Sequence, residues 1–128
     1  SFPLRVERDV PHAQLPQRLA EADICFLSLE EEAARQLPAK LYEYMAACRP
    51  TLAVVPPEGA AARLLRETRS GRVVAPGDDE GLRRTLLDMV ACAREGRLES
   101  PPPEAREPFR RDRLVEQMAA VLEKVRRK

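Results

Sequence analysis

The sequence predicts an α/β fold, a partial Rossmann-like parallel sheet with flanking helices, on three observations. Short apolar runs alternate with stretches of helical periodicity along most of the chain. Two of the runs, residues 24–29 and 51–55, are almost continuously apolar, the pattern of strands covered on both faces. Prolines and glycines punctuate the boundaries, at Pro50, Pro56, Pro57, Gly59, Gly71 and Gly77. Strands alternating with helices build crossover units, and ligands are then expected at the carboxyl ends of the strands.

Each element follows in order. Leu4, Val6 and Val10 fall at even spacing and predict a short strand ending at Pro11. Residues 14–22 read as a helix, with Leu15 and Leu19 four apart, and the apolar run 24–29 follows Asp23. An acidic connection, Glu30, Glu31 and Glu32, leads to a helix carrying Leu37, Leu41, Met45 and Cys48 at helical spacing, with Pro38 suited to its first position. Residues 51–55 form the next buried strand. Residues 59–68 are helical with Gly71 near the end, and Arg72, Val73 and Val74 make a further short strand. Asp78 and Asp79 can cap a helix carrying Leu82, Leu86, Met89, Val90 and Ala93. Residues 97–108 include Pro101, Pro102 and Pro103 and read as a surface linker rather than a packed element. A last helix starts near Asp112, with Leu114, Met118, Val121, Leu122 and Val125 along one side.

These boundaries divide the chain into an α/β domain over residues 1–96, the linker over 97–108 and a closing helix over 109–128. About four strands are expected. A doubly wound sheet ordinarily opens with a central strand and a glycine-rich turn, and neither is visible, so the chain reads as part of a longer protein or as a small permuted domain.

Composition narrows the chemistry. A hydrophobic share of 44% beside 34% charged residues describes a globular chain, and no apolar stretch approaches the roughly 20 residues of a membrane helix. With no leader pattern at its start, the chain is expected to be cytoplasmic. A formal net charge of +1 gives no reason to expect nucleic acid as a partner. The arginines and lysines after residue 105 alternate with carboxylates and read as a solvated helix face; the alternative is peripheral contact with acidic lipid headgroups or a neighbouring domain. Cys25, Cys48 and Cys92 sit in apolar surroundings and are expected to be reduced and buried. The only histidine is His12, which leaves no material for a His/Cys zinc site or a Ser-His-Asp triad, so neither metal-assisted nor serine-nucleophile chemistry is expected; no cofactor is expected either.

The segment that carries chemistry runs from Leu37 to Ala47. Lys40 and Glu43 are three apart and share a helix face opposite Leu41 and Met45. Unpaired N–H groups at Ala39 and Lys40, the positive end of the helix dipole and the Lys40 ammonium together suit a diphosphate. One turn further on, Glu43 can accept hydrogen bonds from two ribose hydroxyls. The plainer alternative is an exposed Lys40–Glu43 ion pair of a few tenths of a kcal/mol. Gly59 allows either a close backbone approach to a ligand or a plain helix-opening turn. His12 either touches the nucleotide or is an ordinary loop histidine.

The run Pro38, Ala39, Lys40, Leu41, Tyr42, Glu43, Tyr44, Met45, Ala46, Ala47, followed by Arg49, Pro50, Thr51, Leu52 and Ala53, resembles the donor-site helix and next strand of the group 1, retaining, two-lobe (GT-B) glycosyltransferases. Residues 15–23, 71–78 and 109–125 resemble further pieces of that family in the same order. The resemblance implies that this chain is the C-terminal portion of a domain binding a nucleotide-diphosphate sugar, transferred with retention to an acceptor hydroxyl. Lys40 would be the catalytic group here, and Pro38, Ala39, Lys40, Glu43 and Gly59 the donor-binding residues. The acceptor and any general base would belong to an N-terminal lobe of the same enzyme. In the family two glutamates separated by seven residues line the donor. Glu43 matches the second, whereas Arg35 stands in the first position, and Cys48 replaces a frequent glycine. The rival readings are a Rossmann-type nucleotide-sugar binding or interaction module without catalysis, for which Arg35 speaks, and a related nucleotide-sugar epimerase.

Overall fold

The computed structural model describes residues 3–127. Among them are three parallel strands, β1 (Cys25–Ser28), β2 (Thr51–Val54) and β3 (Gly71–Val74), in the order β1-β2-β3. Cys25 pairs with Thr51 and Ser28 with Val54; Thr51 then pairs with Gly71 and Val54 with Val74. β2 is central because its residues are almost all apolar and can be covered on both faces, its one polar side chain, the Thr51 hydroxyl, being buried without a hydrogen-bond partner among the described residues. Thr51, Leu52 and Ala53 are all buried, as is Val55 just after the strand.

Helices cover both faces. β2 sends Ala53 to one side, against α2 (Ala39–Ala46) and α3 (Ala60–Thr68), whose Leu41, Met45, Ala61, Ala62 and Leu65 complete that core with Leu27 and Val55. Leu52 points the other way and meets Val74 and Met89, the latter from α4 (Asp79–Arg94). This is the Rossmann-like α/β arrangement that the alternating pattern predicts. Asp78 caps α4 as expected, its Oδ1 accepting the Gly81 N–H at 2.9 Å.

The expected strand over Leu4 to Val10 is not formed. Residues 3–10 carry no strand, and Leu4 and Val6 are 79% and 72% exposed. Its alternation needs a neighbouring backbone to bond with, and none lies beside it among the described residues. α1 (Leu15–Ala20) is shorter than residues 14–22, preceded by a 3-10 turn at His12–Gln14. Pro38 is the cap of α2 rather than its first residue: its ψ of 142° keeps it extended, and Leu37 lies outside the helix. Gly59 similarly precedes α3. Gly71 does not end α3 but begins β3, so close that a Cβ there would lie 2.1 Å from the Thr51 carbonyl oxygen.

Three helices stop in the same way, with a left-handed residue beyond the last turn. After α2 it is Cys48 at φ 58°, after α3 Arg69 at φ 52° and after α4 Gly96 at φ 68°. Around Cys48 the amide of Arg49 bonds the Tyr44 carbonyl and that of Cys48 bonds the Met45 carbonyl, each at 3.0 Å, which satisfies two orphan carbonyls of α2. Glycine serves this position without strain. Only one of the three is glycine.

The stretch expected to be an unpacked linker folds onto the body. It contains the one-turn helix α5 (Pro103–Arg106) and a 3-10 turn at Glu107–Phe109. Phe109 stacks obliquely on Tyr42 with centroids 5.6 Å apart, and Arg106 donates to the Ala46 carbonyl at 3.3 Å. The last helix, α6 (Arg111–Arg126), packs mainly on that turn, and its apolar residues from Leu114 to Val125 remain 48–65% exposed. Cys25 and Cys92 are buried, whereas Cys48 is half-buried because it sits in a turn; all three are free. Among the described residues no helix is long and apolar enough to cross a membrane.

Candidate functional site

The carboxyl ends of β1 and β2 lead into the loop 29–38 and the turn 55–59, and α2 opens beside them. Pro38 brings no side-chain oxygen to the helix start, so nothing caps Ala39 and Lys40, while the Leu41 amide turns back to the Pro38 carbonyl at 3.0 Å. Ala39 and Lys40 are exposed, Pro38 half-buried. Leu41 and Met45 anchor the opposite face of α2 in the core, and the Tyr44 hydroxyl donates to the Phe26 carbonyl of β1 at 3.2 Å. The helix is thereby fixed in rotation, which decides where Lys40 and Glu43 point.

Those two residues are not bonded to one another. Among the described residues no ion pair includes Lys40 or Glu43. Lys40 stands in solvent at the uncapped end. Glu43, half-buried, lines a cavity of about 340 Å³ together with His12, Leu15, Pro16, Leu19 and Arg111. That volume lies within the roughly 300–1,000 Å³ typical of small-molecule sites, and the mixture of an apolar wall with a few polar groups is their usual lining. The structure thus brings His12 and Glu43 to one cavity.

Gly59 meets the protein's own backbone. A Cβ there would come within 2.7 Å of the Ala34 carbonyl oxygen, and that same oxygen accepts the Ala60 N–H at 2.8 Å. Its small size lets the two loops meet at the opening of α3. Arg35 is exposed, as are Glu30, Glu31 and Glu32, which cap and open a 3-10 turn at Glu31–Ala33.

The surroundings bias two ionisable groups near α2. Burial pushes the Cys25 thiol up, partly offset by the charge of Arg49. Burial also raises the Tyr44 phenol, with Cys25 and Glu43 adding to the shift. Neither ionises near neutral pH. No group of three or more His, Cys, Asp or Glu among the described residues is arranged to hold a metal ion.

Residues 5–92 match the family model of the group 1 glycosyl transferases. The chain belongs to the group 1 glycosyltransferases. The matched span takes in all three strands, α1 to α3 and most of α4, so the sheet and the opening of α2 fall inside it. A role in glycosyl transfer goes with membership. No curated protein and no solved structure matches this glycosyltransferase chain. The match stops before α5 and α6, so Arg111 enters the cavity from outside it. No sequence signal joins residue 111 to residue 43, because their sharing of one cavity depends on how residues 97–110 fold.

Proposed function

We propose that this glycosyltransferase chain binds a nucleotide-diphosphate sugar, with the diphosphate at the opening of α2 and the nucleoside in the cavity beside Glu43. The observation that carries the reading is that Lys40 and Glu43, on one helix face, are bonded neither to each other nor to another charged residue. An ion pair was the plain alternative for them. Instead a positive charge with two uncapped amides lies one turn from a carboxylate that faces a ligand-sized space.

In this reading the Ala39 and Lys40 amides and the Lys40 ammonium meet the diphosphate, whose negative charge grows as it leaves the anomeric carbon. Preorganised donors aimed at that developing charge lower the barrier more than they tighten the ground state. Glu43 accepts hydrogen bonds from the ribose hydroxyls, and Leu15, Pro16 and Leu19 give the base an apolar surface. Transfer proceeds to an acceptor hydroxyl with retention, the acceptor and any general base being held by an N-terminal lobe of the same enzyme. A module that binds the nucleotide sugar without turnover is the second reading, favoured by Arg35 where a sugar-side glutamate would stand.

The test is donor affinity and turnover of the full-length protein. Lys40→Ala lowers turnover more than it weakens donor binding. Glu43→Gln does the reverse, weakening binding by about 1.5–3 kcal/mol through loss of a charge-assisted hydrogen bond. A 2′-deoxy donor loses affinity with wild type and little more with Glu43→Gln. Unchanged binding and turnover in both variants would sink the site assignment. Donor binding with no turnover on any acceptor supports the second reading.

A further inference from the structure

We propose that Arg111, at the first turn of α6, selects the base of the donor, favouring a base that presents ring carbonyl acceptors, guanine or uracil, over adenine. This rests on the nucleoside placement just described. Three arginines open α6, and two are spent. Arg110 holds Asp112 and Glu107, and Arg113 holds Glu107 and Glu116. Arg111 has no ion pair and no side-chain hydrogen bond among the described residues, and it lines the cavity that Glu43, Leu15, Pro16 and Leu19 share.

The chemistry of the lining then constrains the occupant. Glu43 accepts only, so it takes the end of the ligand that carries hydroxyl donors. The apolar wall takes a flat ring. A guanidinium donates only, through a planar fork, so it rewards a ring edge carrying acceptors. Guanine offers O6 and N7 to such a fork, a pairing well known between arginine and nucleic-acid bases, and uracil offers its ring carbonyls. The amino group of adenine would set a donor against a donor and leave the guanidinium partly unsatisfied. Although Glu43 and Arg111 border one cavity, they do not pair with each other, so their opposite demands remain available to a ligand.

Isothermal titration calorimetry of GDP, UDP and ADP with the full-length protein tests this, using Arg111→Ala, Arg111→Lys and Glu43→Gln beside wild type. Wild type is expected to bind GDP or UDP about tenfold or more tighter than ADP. Which of the two wins identifies the base. Arg111→Ala brings that preference to within about threefold by weakening the oxo-base nucleotide and leaving ADP nearly unchanged. Arg111→Lys keeps the charge but loses the fork, and retains only part of the preference. An unchanged ranking in Arg111→Ala overturns the proposal. So does an equal loss for all three nucleotides, which would place the guanidinium on the phosphates. Glu43→Gln separates the two levels: weakening of all three nucleotides beside an unchanged Arg111→Ala ranking removes the base-reading role and leaves the nucleoside site standing. If none of the three binds to wild type, both readings fall. Arg111 is exposed, so its variants should keep the wild-type unfolding midpoint.

Discussion

Replacing Gly71 with alanine should be among the most damaging single-methyl changes in the chain. The new Cβ would lie 2.1 Å from the Thr51 carbonyl oxygen, 2.9 Å from its carbon and 3.0 Å from its nitrogen. Carbon and carbonyl oxygen tolerate roughly 3.3 Å, so β3 must retreat by about 1 Å. Thr51 cannot yield in its place, since it is fully buried on the central strand and paired on both sides. Overpacking of this kind costs about 1–3 kcal/mol. The retreat also stretches neighbouring backbone bonds, such as Thr51 N–H to the Ser70 carbonyl at 2.9 Å, each worth about 0.5–1.5 kcal/mol. The total is about 2–5 kcal/mol, measured as a fall in the urea midpoint at constant slope. Gly96→Ala is the control. It also adds one methyl, with nothing within 4 Å, and costs only the left-handed conformation at φ 68°, about 1 kcal/mol. Equal losses in the two variants would refute the clash reasoning.

Three further outcomes follow. Cys48→Gly should raise stability by about 0.5–1 kcal/mol, because relief of the left-handed strain at φ 58° outweighs the extra freedom glycine has when unfolded; a lower urea midpoint would count against it. Burial raises the Cys25 pKa, so the folded chain holds that proton more tightly than the unfolded one. The resulting stability is complete below the unfolded thiol value of about 8.5 and is lost as pH rises through the higher folded value. Unfolding midpoints should therefore fall above about pH 8.5 more steeply in wild type than in Cys25→Ala, Tyr44 adding its own fall at still higher pH, and parallel curves would remove the linkage. Amide exchange in α6, with its stripe exposed, should be faster than in β2; equal protection would mean that the helix is held by more than the turn at Glu107–Phe109.

The elements easiest to read from the sequence are those whose burial leaves a one-residue-type signature. β2 is legible because a strand covered on both faces is almost continuously apolar, Thr51 alone excepted, and α2 because Leu41 and Met45 recur on one side. Leu4, Val6 and Val10 carry the alternation of a strand, but alternation describes a surface that wants pairing and does not supply the neighbour. Gly71 shows why residue identity alone is ambiguous. A glycine after a helix can serve a left-handed turn or a close approach, and here Arg69 takes the turn while Gly71 takes the approach. At the candidate site, the segment from Pro38 to Glu43 is legible because its residues are neighbours on one helix. Arg111 is not, since its place depends on Phe109 stacking on Tyr42 and Arg106 reaching Ala46, contacts made by a stretch whose prolines resemble a linker.

The meeting of Gly59 with Ala34 sets different rules for two kinds of evolutionary change. What Gly59 and the Ala60 amide touch at position 34 is a main-chain oxygen, which every amino acid possesses. The loop between β1 and α2 can therefore drift in composition at that point without disturbing the opening of α3. Its length is another matter. An inserted or deleted residue between 29 and 34 would carry the carbonyl out of reach, orphaning the first amide of α3 and removing the contact that holds the two loops side by side. Lineages descended from this sequence should thus vary freely in the letters of that loop while its residue count stays fixed, and position 59 should remain without a side chain.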